Sequence, residues 1–259
     1  MPSVALTVIA EHLDGLLRTS EVVDYPGAMN GIQVENSSAV TRVAVAVDAS
    51  LLTIQGTIDA GANLLIVHHG LFWSGAQALR GNAYRRIRQL IRNDIAVYSS
   101  HLPLDLHPEL GNNTLLARAL GLQPTAGFAR YRSVHIGVMG TADVSTTSLV
   151  ATAEAIAHKE GGAVVSVGVH EGRRTRAWAI CTGAGASSDT LREAAASGVD
   201  TLIVGEGPHH TAVEAVELGL AVLYMGHYAT ETFGVRALGT ELDRRFQLPW
   251  SFVAAPTGL

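Results

Sequence analysis

The 259-residue chain has a single cysteine, Cys181. One thiol excludes an internal disulfide framework and any structural zinc site built on several thiolates. Aromatic residues make up only 5%, so the core must be largely aliphatic. The chain also lacks a basic excess: 18 Lys and Arg face 23 Asp and Glu, for a net charge of −5. Duplex-binding domains usually carry the opposite balance, which argues against nucleic acid as the main partner and leaves only a local patch. No apolar run approaches the about 18 residues that span a bilayer. The N-terminus has no basic segment, and Glu11 and Asp14 soon interrupt its apolar stretch, unlike a secretory signal. The expectation is a soluble, cytoplasmic protein with no membrane partner.

What is present is a globular composition, 47% hydrophobic, with a regular alternation of patterns. Residues 3–18 have helical spacing, with Ser3 as a candidate cap. Val43, Val45 and Val47 mark a strand, residues 50–61 a helix that Gly61 can end, and Leu64-Leu65-Ile66-Val67 a strand apolar enough for burial on both faces. A helix at 83–93 and a strand at 95–98 follow. The second half repeats the order: strand 177–180, helix 188–197, strand 201–204, helix 210–218, strand 221–224. Between the halves, 134–138 and 164–167 read as strands and 145–160 as a helix. Strand–helix alternation predicts an α/β fold with mixed sheets covered by helices.

The halves also match residue by residue. Residues 60–70 can be laid on 197–207, each a glycine after a helix, a Leu-Ile-Val strand and a polar turn. Tyr98-Ser99-Ser100-His101 then matches Tyr224-Met225-Gly226-His227. An internal duplication is expected, as two related lobes at 1–122 and 123–259. No Pro- or Ser-rich linker separates them, so the lobes are expected to pack closely in one compact subunit.

Polar residues follow buried strands at His68-His69, His101 and His227. In α/β sheets, ligands bind beyond the carboxyl ends of the strands. Asp105 lies four residues after His101, and Glu231 four after His227. Imidazole plus carboxylate suits zinc, iron, manganese or nickel. Pro103 makes a regular helix across 101–105 doubtful, but a first helical turn tolerates it. Four histidines and two carboxylates exceed what one tetrahedral zinc takes. They suit two divalent first-row ions about 3.5–4 Å apart. A lone histidine after a strand is ordinarily a turn or cap residue, and His12, His107, His135, His158 and His170 are read so. Glu206 matches His69 in the repeat. It is a ligand, a hydrogen-bond partner of one, or an acid at a helix N-terminus; Glu206 and His210 are candidate proton shuttles. Cys181, within an apolar strand, reads as core. The run Arg85-Arg86-Ile87-Arg88 with Arg92 reads as a solvated helix face, and no Gly-x-Ser-x-Gly elbow marks a serine nucleophile.

His68-His69-Gly70-Leu71-Phe72, Ser100–Asp105 with Gly111-Asn112-Asn113, Gly226–Glu231 and Met29–Val34 together resemble the GTP cyclohydrolase I type 2 homologues, the Nif-three-like dinuclear metal-centre proteins. The resemblance covers nearly the whole chain. Gly70 departs from it, since the family commonly has proline there. The resemblance implies two α/β lobes facing a cleft with two metal ions, ligated by His68, His69, His101, Asp105, His227 and Glu231. It also implies a toroidal homohexamer. The expected function is metal-dependent hydrolysis, cyclohydrolase-like or other, of a small molecule. The rival readings are a non-catalytic metal carrier or cofactor-assembly protein with a metal client, and an interaction scaffold or regulator.

Overall fold

The computed structural model describes residues 2–75 and 77–259. In chain order the elements are α1 (Leu6–Leu17), β1 (Gly31–Val34), β2 (Val43–Asp48), α2 (Leu51–Asp59), β3 (Leu64–His69), α3 (Gly81–Arg92), β4 (Ala96–Ser99), α4 (Leu102–Asp105) and α5 (Asn112–Ala119). There follow β5 (Ala126–Tyr131), β6 (Val134–Ser145), α6 (Thr146–Lys159), β7 (Val165–Val167), β8 (Arg174–Cys181), α7 (Ser188–Ala196) and β9 (Thr201–Val204). The chain closes with α8 (His209–Glu217), β10 (Ala221–Tyr224), α9 (His227–Thr230), α10 (Thr232–Phe246) and β11 (Trp250–Phe252). Among the described residues no helix is long and apolar enough to cross a membrane.

Two compact units emerge: Met1–Leu104 with Gly234–Ala255, and Asp105–Phe233 with Pro256–Leu259. Residues 234–255 thus return to the first unit. The cause of that return is visible in the pairing, because β11 adds in parallel to β2. Sequence periodicity gave no hint of so distant a partner.

The first unit holds a five-stranded sheet in the order β1-β4-β3-β2-β11. Strands β2, β3 and β4 are parallel, and β1 is antiparallel to β4. Leu64, Leu65, Ile66 and Val67 of β3 are wholly buried, as its unbroken apolar run requires. Ile54 of α2 and Leu90 of α3 pack on Ala44, Leu65 and Val97. Ser50 and Thr53 form a reciprocal cap at the start of α2, satisfying donors that would otherwise be unpaired. Ser3 is not the cap of α1. Ala5 takes that place without a side-chain bond, because Val4 is drawn into a bridge with Val40. On α1, Asp14 accepts a hydrogen bond from the Tyr98 hydroxyl at 2.8 Å.

The second unit holds a six-stranded sheet, β5-β6-β8-β9-β10-β7. Strands β8, β9 and β10 are parallel and β7 is antiparallel to β10. The match to the first sheet is direct: three parallel strands, two crossover helices and one short antiparallel strand on the last. The duplication read from residues 60–70 and 197–207 is therefore also a topological one. Leu191 and Ala194 of α7 with Ala215 of α8 pack in one core cluster. Leu116 of α5 and Leu149 of α6 pack with Trp178 in another. Strands β1, β5 and β11, helices α5 and α10, and the short α9 went unread in the sequence.

Candidate metal centre

In the first unit, β3 and β4 run side by side and in parallel, so their carboxyl ends lie together. His68 and His69 are the last residues of β3, and His101 comes two residues after β4. One ring nitrogen from each of the three lies within 4.8 Å of the others. His68 is completely buried. Ring centroids of His68 stand 4.8 Å from His69 and 4.9 Å from His101. Three imidazoles this close are a fit for a cation, which needs convergent nitrogen donors.

The other ring nitrogen of each histidine is held. The Nδ1–H of His101 donates to Asp24 at 2.9 Å, that of His69 to Asp48 at 2.9 Å, and that of His68 to the Ser100 carbonyl at 2.9 Å. Carboxylates and carbonyls only accept, so each Nδ1 carries a proton and Nε2 is the ring nitrogen turned toward the other histidines. This is how metal-ligating histidines are ordinarily oriented.

Asp24 is the firmest of these anchors. Its side chain is 6% exposed. It also accepts from the Asn30 amide at 2.8 Å and the Leu102 N–H at 2.9 Å, while Asn30 accepts from the His101 N–H. Burial alone would raise the Asp24 carboxyl; hydrogen bonding and charge from His101, with help from Asn30 and Tyr25, hold it below its ordinary value. Sequence reasoning missed both aspartates. Asp48 was detectable, since it is the first polar residue at the carboxyl end of β2 and pairs with His69. Asp24 stands in a stretch with no periodic pattern to flag it.

In the second unit, His227 opens α9 and Glu231 follows its last residue. His227 Nε2 lies 3.1 Å from Glu231, and its Nδ1–H donates to Glu206 at 2.8 Å. Burial lowers the affinity of this imidazole for a proton, but Glu231 and Glu206 outweigh it and raise the pKa to about 9. Glu206 is thus a hydrogen-bond partner of His227, one of its three sequence readings. His210 stands exposed at the start of α8.

Glu231 is 3% exposed, and Gly183 makes that possible. Gly183 has φ +63°, and any Cβ there would collide with a Glu231 carboxylate oxygen. The glycine-rich turn after β8 is therefore shaped for the carboxylate behind it. Asp105 ends α4, with Pro103 in the first turn as that position allows. The Asn112 amide donates to Asp105 at 2.8 Å. Asn113 donates to the Ile136 carbonyl and accepts from the Thr182 N–H at 2.9 Å. Cys181 is buried, and burial together with Asp105, Glu231 and Glu193 pushes its thiol up to about 12, which suits core and not nucleophile.

Gly70 lies against the Gln33 side chain. A Cβ on Gly70 would collide with the Gln33 amide. That amide accepts from the Leu71 N–H at 2.7 Å and donates to the Ala28 and Met29 carbonyls at 3.1 and 3.0 Å.

Residues 4–256 match the family model Duf34/NIF3 (NGG1p interacting factor 3). A Deinococcus radiodurans protein named GTP cyclohydrolase 1 type 2 homolog is 40% identical over 236 residues, covering 91% of this chain and 88% of its own. A Halobacterium salinarum protein of the same name is 41% identical over 253 residues, covering 97% and 98%. Among solved structures, protein ybgI, of unknown function, superposes with a TM-score of 0.88 at 34% identity over the full length of both chains. The chain is a mixed α/β protein whose histidine and carboxylate groups can hold metal, and it belongs to the Duf34/NIF3 family.

Proposed function

We propose that this chain is a dinuclear metal-dependent hydrolase acting on a small molecule, with His68, His69, His101, Asp105, His227 and Glu231 as ligands of two divalent first-row ions. The observation that carries the proposal is the fixing of all four histidines through Nδ1, by Ser100, Asp48, Asp24 and Glu206. A fold that only needed polar strand ends would not orient four imidazoles alike. Divalent ions in such a site supply Lewis acidity and bring the pKa of water toward neutrality. The chain's own groups do the rest. Asn112 holds one oxygen of Asp105 in place. Glu206, 42% exposed and bonded to His227, relays a proton between the site and solvent in this reading.

The name borne by the relatives makes GTP the first substrate to test, followed by phosphoesters and peptides. Protein stripped of metal, then reloaded separately with zinc, iron, manganese and nickel, is assayed for turnover. The proposal expects metal-dependent hydrolysis that Glu231→Gln abolishes. Metal-loaded protein that turns over nothing, yet passes its metal to an acceptor, would replace hydrolysis with a carrier role.

A further inference from the structure

Exposed aromatic side chains are scarce in this protein. Among the described residues three are exposed: Tyr25 at 43%, Trp73 at 36% and Tyr84 at 50%. Two of the three stand beside the three-histidine cluster. The Trp73 ring is nearly perpendicular to His101, at 83° and 4.8 Å between centroids, and to His69, at 72° and 5.8 Å. Tyr25 is tilted against His101 at 5.9 Å. Large aromatic surface left in water costs free energy, and the other two tryptophans, Trp178 and Trp250, are buried or half-buried.

Both rings sit on backbone that is fixed. Gly27 is pressed against Trp73, where a Cβ would come within 2.5 Å of the Trp73 carbonyl oxygen. Gln33 ties the turn at Ala28 and Met29 to Leu71 at the start of the Trp73 loop. Tyr25 follows Asp24, whose carboxylate is anchored on His101. Such pre-organisation lowers the cost of ordering when a ligand binds.

We propose that Trp73 and Tyr25 form a ring-binding wall beside the histidine cluster, and that ligands of this site carry a planar, π-rich group there. The inference rests on the reading of His68, His69 and His101 as metal ligands, which sets where the ligand's polar head lies. Stacking or edge-to-face contact with such rings is worth about tenfold in affinity.

The test uses three hydroxamates with one metal-binding head: acetohydroxamate, cyclohexanecarbohydroxamate and benzohydroxamate. Binding to the metal-loaded protein is measured by calorimetry for wild type, Trp73→Ala, Trp73→Phe and Tyr25→Ala, with metal content determined on the same samples. The expected result is about tenfold tighter binding of benzohydroxamate than of acetohydroxamate. That gain should shrink to about twofold in Trp73→Ala and survive in Trp73→Phe, at unchanged metal content. A cyclohexyl probe as tight as the benzoyl one overturns planarity, and an undiminished gain in Trp73→Ala overturns the wall. Absence of metal from wild type removes the metal reading and this proposal with it, whereas failure of all three probes to bind metal-loaded wild type overturns the proposal alone.

Discussion

Asp24 holds the His101 ring and the backbone that follows it. The carboxylate takes the ring Nδ1–H at 2.9 Å and the N–H of Leu102, the next residue, at 2.9 Å. Ring tautomer and backbone position are set by one buried group. Asp24→Asn removes the charge and places an amide against donors, so a loss of about 1–3 kcal/mol in stability is expected. Metal affinity at the histidine cluster should fall by about 10–100-fold. Asp48, 39% exposed, holds His69 less firmly, and Asp48→Asn should have the smaller effect on both. Thermal melts of the metal-free proteins, together with competition against a chelator, compare them directly.

Gly183→Ala meets two obstacles at one position. The backbone is left-handed and the added methyl strikes Glu231. Strain of this kind costs about 1–2 kcal/mol, and the displaced carboxylate should weaken metal binding as well. Gly198, also left-handed but with open space around it, is the control. Gly198→Ala should lower stability by a similar strain cost and leave metal content unchanged.

The pairing of Gly70 with Gln33 predicts non-additivity. Gly70→Ala forces the Gln33 amide from its place and breaks its bond with Leu71. Gln33→Ala breaks that bond and vacates the space. Each single change should cost about 1 kcal/mol. The double variant should cost little more than either alone, because neighbours sharing one interaction do not add. Denaturant unfolding of the four proteins closes the cycle.

Glu241 of α10 gives a pH dependence away from the metal ligands. Its carboxyl accepts from Arg244 at 2.8 Å and lies 3.0 Å from His12 of α1. Arg244 chiefly, opposed by burial and helped by His12, holds the carboxyl below its ordinary 4.5. A depressed acid contributes stability that is complete above the unfolded value and disappears as pH falls through the folded one. Wild type should therefore lose about 0.5 kcal/mol more than Glu241→Gln between pH 5 and pH 3. Equal losses would mean that the contact adds nothing.

Periodicity exposed the parts of the fold that bury one face or both. Strands β2, β3, β9 and β10 and helices α2, α6 and α7 were legible because their apolar residues recur at fixed intervals. Helix α10 and strand β11 were not, since what fixes β11 is parallel pairing with β2 some two hundred residues earlier. The histidines of the candidate site were legible through repeat position, as both parallel triplets end in the same kind of turn. Their anchors were less so. Asp24 reaches His101 across seventy-seven residues, and a hydrogen bond between an irregular segment and a turn leaves no periodic trace. Ser100 anchors His68 through its carbonyl, which its side-chain identity does not encode.

The most direct test is the metal content per chain. Wild type and the double variant His227→Ala/Glu231→Ala are purified side by side without chelator, reloaded, and analysed by plasma mass spectrometry. About two first-row ions per wild-type chain are expected, with a clear loss in the variant. Wild-type protein that retains no metal after reloading would contradict the two-metal reading.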